Sequence, residues 1–413
     1  MTLKRIKKPC FATLILCLFV VNFMGVGDFF PILLLPYIFK KMLKSKFDKN
    51  FAKSFWALLL FSFSFVTFLL FFDFFAASIA GMVGRLLYPA LFLVFGYKMI
   101  NNNKDSVTIS KTVFNCLYLV IIFYSAYGVI SFLRTMSIYG DMDAVREIYR
   151  VRQVRGLWGG FITATSLTTF LSLSLASLPL VFVKHEHLTK CRKIILLVIF
   201  ILSVYAITET LSRAGIFIVI GSLTANLLFL GKFNTKKLIR IILGSVAAFL
   251  ISIFYRLNIA NIRGFLMEFP LYTRLISDNV ESEPRFDAWW ATISGLFNYP
   301  MGGRRTNLNI SFVHNLWLDV AYDTGIIPFI LLLIFTIYTL RNIMVFLKTD
   351  YPIYLKSIIL SMTSAFLIIF MFEPVLQGVT IHFVLYCLMS GIIYKLNYLK
   401  NITDINDEIK TVV

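Results

Sequence analysis

The stretch Phe312-Val-His-Asn-Leu-Trp-Leu-Asp-Val-Ala-Tyr-Asp-Thr-Gly-Ile-Ile-Pro328 runs directly into an apolar segment that ends at Leu347. Leu318, Val320 and Ala321 give its first half an apolar face, so the spacing predicts a short helix that stops at Gly325. Crossing a hydrocarbon core of about 30 Å takes roughly 20 apolar residues, and Ile326 to Leu347 supplies them. The stretch therefore reads as a surface helix leading into a membrane span. His314, Asn315, Asp319 and Asp323 stand at its mouth.

The rest of the chain repeats the pattern. Of 413 residues, 59% are hydrophobic, 43 are Phe and only 15% are charged, with a mean hydropathy of +0.81. This excludes a soluble domain and predicts an all-α, polytopic integral membrane helix bundle formed by residues 1–413 as one domain. About twelve transmembrane helices are expected, over 11–24, 28–40, 54–72, 76–99, 112–133, 159–183, 194–208, 214–230, 238–255, 325–347, 354–373 and 376–396. The first two are short and read as a hairpin broken at Gly25-Val-Gly-Asp28, because two glycines and a charge interrupt an overlong apolar stretch. A single tilted helix is the rival reading and would invert everything downstream. The first apolar run is followed by a second and shows no small-residue cleavage site, so it reads as a retained helix.

Short cytoplasmic loops carry excess Lys and Arg. With the hairpin counted as two crossings, the clusters Lys4 to Lys8, Lys40 to Lys53, Lys98 to Lys111, Lys184 to Lys193, Lys232 to Arg240, Arg341 to Lys356 and Lys395 to Lys410 all fall on one side. Both termini are then cytoplasmic. All 23 lysines lie on that side, whereas 12 of the 17 arginines lie outside or at an outer helix end. These are Arg134, Arg146, Arg150, Arg152, Arg155, Arg213, Arg256, Arg263, Arg274, Arg285, Arg304 and Arg305. A planar guanidinium fork suits bidentate binding of phosphate or pyrophosphate, so the outer face reads as an anion-handling surface. The plain alternative is ion pairing with outer acids such as Asp141, Asp143 and Glu147, which is worth little at a surface. The net charge of +19 is met by inner lysines beside anionic membrane lipid and does not point to nucleic acid.

Two outer segments are large enough to hold chemistry: the loop 134–158, crowded with Asp141, Asp143 and arginines, and the long loop 255–324, which contains no lysine. In the second, Ser282-Glu-Pro-Arg-Phe-Asp287 predicts a helix start. Phe286, Trp289, Trp290, Ile293, Leu296 and Phe297 follow at three- and four-residue steps, a stripe for the membrane interface or for packing on the bundle. Asn298-Tyr-Pro-Met-Gly-Gly303 breaks that helix, and Arg304 and Arg305 follow. Arg213, in Glu209-Thr-Leu-Ser-Arg-Ala-Gly215, faces the headgroup layer or a bundle cavity. Arg85 lies deeper, in the outer part of the fourth span, where an intramembrane arginine is a functional candidate. Cys10, Cys17, Cys116, Cys191 and Cys387 all fall in spans or cytoplasmic loops, so no outer disulfide is expected. Asp141-Met-Asp143 is a weak metal pattern surrounded by arginines, and His185-Glu-His187 with Cys191 falls in a cytoplasmic loop. No metal is therefore assigned.

Ser212-Arg-Ala-Gly215 opening a span, Pro284-Arg285 before an amphipathic loop helix, the Pro300-Met-Gly-Gly303 turn, and His314-Asn-Leu-Trp-Leu318 followed by Asp319 and Gly325-Ile-Ile-Pro328 resemble the O-antigen ligase and O-antigen polymerase family. The resemblance covers roughly residues 205 to 345. It implies a GT-C-like glycosyltransferase of the bacterial inner membrane. Such an enzyme transfers a glycan from undecaprenyl pyrophosphate on the periplasmic face, with neither cofactor nor metal. By position, Arg213 and Arg285 would hold the donor pyrophosphate, with Arg85, Arg304 and Arg305 as further candidates, and His314 would lie at the acceptor hydroxyl. An imidazole with a pKa of about 6.5 suits a base near neutral pH. Asp319, Asp323 and Glu209 are alternative bases, and the plain alternative for His314 is a cap or hydrogen bond within its own loop.

A polymerase binds two lipid pyrophosphates and a ligase binds one plus a lipid A-core sugar. The second basic cluster, Arg146, Arg150, Arg152 and Arg155, together with Asn315, reads as the acceptor or second lipid site. Lipid-linked oligosaccharides are then the expected partners, with a chain-length regulator protein as a further candidate. Polymerase is the favoured reading and ligase the alternative. A flippase is more distant, since no internal repeat is evident and the ionisable residues crowd the outer ends of spans.

Overall fold

In lipid, a backbone satisfies its own N–H and C=O groups by forming helix, and this sequence does so along almost its whole described length. A computed structural model describes residues 8–42, 47–72, 79–101, 105–183, 188–230 and 284–412. The expected span 238–255, the cluster Lys232 to Arg240, His185, His187, and Arg256, Arg263 and Arg274 of the long loop lie outside the described residues.

The elements run α1 (Lys8–Val20), α2 (Leu35–Met42), α3 (Lys49–Phe72), α4 (Ile79–Met99), α5 (Ser106–Tyr139), α6 (Met142–Tyr149), β1 (Gln153–Arg155) and β2 (Phe161–Thr163). They continue as α7 (Ala164–Ala176), α8 (Leu178–Phe182), α9 (Lys190–Glu209), α10 (Arg213–Leu230), α11 (Pro284–Asn298), α12 (Leu316–Thr324), α13 (Ile326–Lys348), α14 (Ile353–Phe372) and α15 (Thr380–Val412). Among the described residues, seven helical segments are long and apolar enough to cross a membrane: α3, α5, α7 with α8, α9, α10, α13 and α14. Each falls on an expected span.

The departures have local causes. Among the described residues α1 covers 13 positions, about 20 Å at 1.5 Å per residue, short of a full crossing. The expected break at Gly25 to Asp28 is present as 3-10 turns, Phe23–Gly25 and Gly27–Leu34, the second containing Pro31. α5 outruns its expected span of 112–133: Asp105 caps it by accepting from the Thr108 N–H at 2.9 Å, and no proline intervenes before Gly140, at φ 85°. The loop after α5 therefore begins near 140, with Arg134 still on the helix. That loop also adds a small sheet to the all-α expectation, β1 and β2 pairing antiparallel with Val154 opposite Ile162. The expected span 159–183 accordingly starts late, at Ala164, where the Thr163 hydroxyl accepts from the Ser166 N–H.

Helices pack through small and hydroxyl residues, as membrane interfaces require. On α4, Gly96 faces the Leu388 carbonyl, and on α15 Gly391 faces the Leu93 carbonyl; a Cβ at either would run into the opposing backbone. Between α10 and α14, Asn226 donates to Ser361 Oγ at 3.1 Å and accepts from Ser357 Oγ at 2.7 Å. The bundle has two unlike ends. Lys98, Lys395 and Lys400 cluster at one, over Phe47, beside Tyr97 and Tyr398, and on Asp350. The other gathers the end of α14, the start of α15, α11 and α12, with their arginines.

Candidate functional site

The expected helix ending at Gly325 is α12. Asn315 caps its start, its Oδ1 accepting from the Leu318 N–H at 3.2 Å. One turn in, the buried Asp319 reaches back to accept from the N–H groups of Val313 (2.8 Å) and Asn315 (3.2 Å), with the His314 N–H also directed at it. Three successive amides around one carboxylate form a nest. Its geometry holds His314 at φ 58°, a left-handed conformation costing roughly 1–2 kcal/mol for an L-residue. Asp319 thus spends its oxygens on the backbone and fixes the His314 main chain.

The His314 ring turns Nδ1 inward, 4.0 Å from Oε2 of Glu373, which sits just past the end of α14 and is 3% exposed. Both atoms are enclosed and neither has a hydrogen-bond partner among the described residues; a buried polar atom left so costs on the order of 1–3 kcal/mol. Burial, reinforced by the Arg285 charge, pushes His314 down to about 4, so its imidazole is neutral at physiological pH but a weaker base than the ordinary value of about 6.5 led the sequence reading to expect. Burial pushes Glu373 up to about 8, with the Arg285 charge opposing and Asp319 adding to the rise. Asp319 is pushed up to about 7 by burial and by Asp323, against the amides that hold it down.

Arg285 enters from the first turn of α11 and donates from Nη1 to the Phe372 carbonyl, the last of α14, at 3.1 Å. Cations are favourable at a helix C-terminus. The expected loop helix is therefore present, and Trp289 docks it by donating from Nε1 to the Val313 carbonyl at 2.9 Å. The aromatic stripe divides: Trp289 and Ala288 turn toward Val313 and Leu318, whereas Phe286, Trp290, Ile293 and Phe297 remain exposed along one face. Arg213 opens α10, and Phe217, one turn on, stacks on Phe372 at 5.7 Å. Both arginines matched by the family resemblance thus belong to helix ends gathered at the end of α14.

The other candidates separate from this cluster. Arg304 donates from Nε to the buried Asp323 at 2.7 Å, and Gln377 donates to the second Asp323 oxygen at 2.8 Å. Arg304 is accordingly an anchor of the turn before α12. The turn needs its glycines: Gly302 (φ 72°) and Gly325 (φ 82°) meet backbone to backbone, with no room for a Cβ. Arg305, next in the chain, is exposed. Arg85 donates from Nε to the Leu376 carbonyl at 3.2 Å and lines a cavity of about 220 Å³ with Tyr88, Gln377 and Thr380.

In the loop after α5, Arg146, Arg150 and Arg155 are exposed, and Arg152 pairs with Asp143 at 2.7 Å. Asp141 caps α6 by accepting from the Ala144 N–H at 2.6 Å. Both carboxylates of the Asp141-Met-Asp143 pattern therefore have local partners. The charges acting on Glu209 are Asp143, Asp141 and Arg152, which associates it with this loop and not with His314.

Glu373 and Gln377 went unremarked in the sequence, although Phe372-Glu-Pro-Val-Leu-Gln377 carries a signal: a carboxylate and an amide in a short connection between two apolar runs. Absorbed into a span at 354–373, the carboxylate loses its meaning. In comparison with known proteins, no family model matches the chain and no curated relative is found for it.

Proposed function

We propose that this chain is a polysaccharide polymerase of the bacterial inner membrane. It would transfer a glycan from undecaprenyl pyrophosphate to a lipid-linked repeat unit on the periplasmic face, with about twelve crossings and cytoplasmic termini. The observation that carries this reading is the meeting of a neutral, strained His314 with Arg285 and the Arg213 helix end at the mouth of membrane helices.

The chemistry follows from those parts. The acceptor hydroxyl gives its proton to His314 as its oxygen bonds to the anomeric carbon of the donor. The bond from that carbon to the phosphate oxygen breaks, and the pyrophosphate leaves with the electron pair on its lipid. Fixed guanidinium groups stabilise the charge that develops on the leaving group. The proton on His314 then passes to water. The exposed apolar face of α11 would lie in the headgroup layer beside the lipid tail of the substrate. Arg146, Arg150 and Arg155, exposed on the first outer loop, would attract the second anionic lipid.

Complementation of a strain lacking its surface-polysaccharide polymerase, with the matching gene cluster supplying the repeat unit, tests the reading. A restored ladder, collapsing to a single repeat with His314→Ala or Arg285→Ala at equal protein level, supports it. Loss of every repeat on the lipid core points to a ligase or a flippase. An undiminished ladder from both variants removes the site.

A further inference from the structure

We propose that Glu373 is the positioning residue for His314: its carboxylate accepts from Nδ1–H and thereby keeps Nε2 free to take the proton of the acceptor hydroxyl. The inference deepens the polymerase reading, but the pairing itself can be measured without turnover.

The argument begins with two orphaned atoms. Nδ1 of His314 and Oε2 of Glu373 are buried, face each other at 4.0 Å and lack any hydrogen-bond partner among the described residues. Buried polar atoms in folded proteins nearly always find one. A closure of about 1 Å would bring the pair to the 2.7–2.9 Å of a charge-assisted bond, and catalytic hydrogen bonds are often long before substrate arrives. Among the described residues nothing else competes for Nδ1, while the opposite ring edge, with Nε2, is not enclosed.

Both partners are held. The Asp319 nest fixes the His314 backbone, and the Glu373 N–H donates to Ile369 at 2.8 Å to end α14. Side-chain rotation is then the available route to closure. Arg285, from α11, bonds to the adjacent Phe372 carbonyl, so the arginine proposed to grip the donor shares one corner with the pair.

The charge state of Glu373 sets the tautomer. Protonated, it donates to Nδ1 and the ring proton moves to Nε2, which can then only donate. Ionised, it accepts from Nδ1–H and Nε2 carries a lone pair. The groups facing Glu373 are His314 from the loop, Arg285 from α11, which favours the ionised form, and Asp319 from α12, which opposes it.

The test is nitrogen NMR of full-length protein labelled at histidine, in detergent micelles, with the His314 signal assigned from a His314→Asn variant. The sequence has only 4 histidines, so the spectrum is sparse. The expected result is that the Nδ1–H tautomer of wild-type His314 grows from about pH 6 to about pH 9, as Glu373 ionises, and that Glu373→Ala abolishes the change. A wild-type His314 that keeps the Nε2–H tautomer up to about pH 9 overturns the proposal without any variant, as does the same tautomer in wild type and Glu373→Ala. In liposomes carrying a lipid-linked repeat unit, Glu373→Gln should lower turnover by roughly 10²–10⁴-fold, as loss of the orienting carboxylate does in a Ser-His-Asp triad, and Glu373→Asp should restore part of it. Wild-type protein that turns over no lipid-linked substrate would refute the polymerase reading and leave the tautomer result standing.

Discussion

His314 bears three separate constraints: a left-handed backbone, a nest built by Asp319 and a carboxylate facing Nδ1. Each is testable by substitution. Asp319→Ala leaves the Val313 and Asn315 amides without their acceptor, at about 1–3 kcal/mol each, so thermal unfolding in detergent should come several degrees earlier; an unchanged midpoint would show that the nest is dispensable. Arg285→Ala should lower polymer synthesis by about 10²–10³-fold if it stabilises the leaving pyrophosphate, and initial rates at saturating substrate measure this. Titration has a definite sign as well. Glu373, raised from 4.5 to about 8, contributes stability that is present below 4.5 and lost as pH climbs toward 8. His314, lowered from 6.5 to about 4, acts in the opposite sense: its contribution is present above 6.5 and fades toward 4. Unfolding midpoints of Glu373→Gln should therefore fall less than those of wild type between these limits. The sequence signalled His314, Asn315 and Arg285 because their neighbours form recognisable stops and starts. Glu373 stayed hidden because a single acid closing an apolar run looks like the end of a span.

At the scale of elements, the apolar period and the glycines made most helices legible. The helix over Pro284–Asn298 and the short helix ending at Gly325 both stand where their caps and breakers put them. What the pattern could not give was pairing between distant segments. The β1 and β2 strands are only three residues each, too short for alternation to register, and the approach of α4 to α15 depends on glycines that look unremarkable alone. Gly391→Ala should break that approach, because the new methyl meets the Leu93 carbonyl; overpacking of this kind costs about 1–3 kcal/mol. Size-exclusion profile and unfolding midpoint of the purified variant check it, with Gly140→Ser, at an open position, bearing only the strain of a positive φ for comparison. On α11, Trp290 and Phe297 are 74% and 84% exposed. Replacing both with Ser should weaken membrane-dependent activity while leaving the His314 tautomer unchanged, since neither touches Val313.

For the whole molecule, composition sufficed for the class: a membrane-spanning helical chain. Sidedness is an expectation that rests on the split between lysine and arginine along the sequence. An impermeant thiol reagent applied to intact cells should therefore leave Cys191, exposed at the start of α9, unlabelled, and should label a cysteine placed at Ser311; the reverse pattern would invert the topology. Helix count was harder to read, because α1 and the 3-10 turns after it fill the space of expected crossings without forming long helices. The central claim concerns chemistry, and the most direct measurement is the purified protein in liposomes with an undecaprenyl-pyrophosphate-linked repeat unit as sole substrate. The account predicts products lengthening by whole repeats, one lipid pyrophosphate released per linkage formed, and loss of both with His314→Ala. Folded wild-type protein that forms no linkage, or a His314→Ala variant that forms them at the wild-type rate, would contradict it.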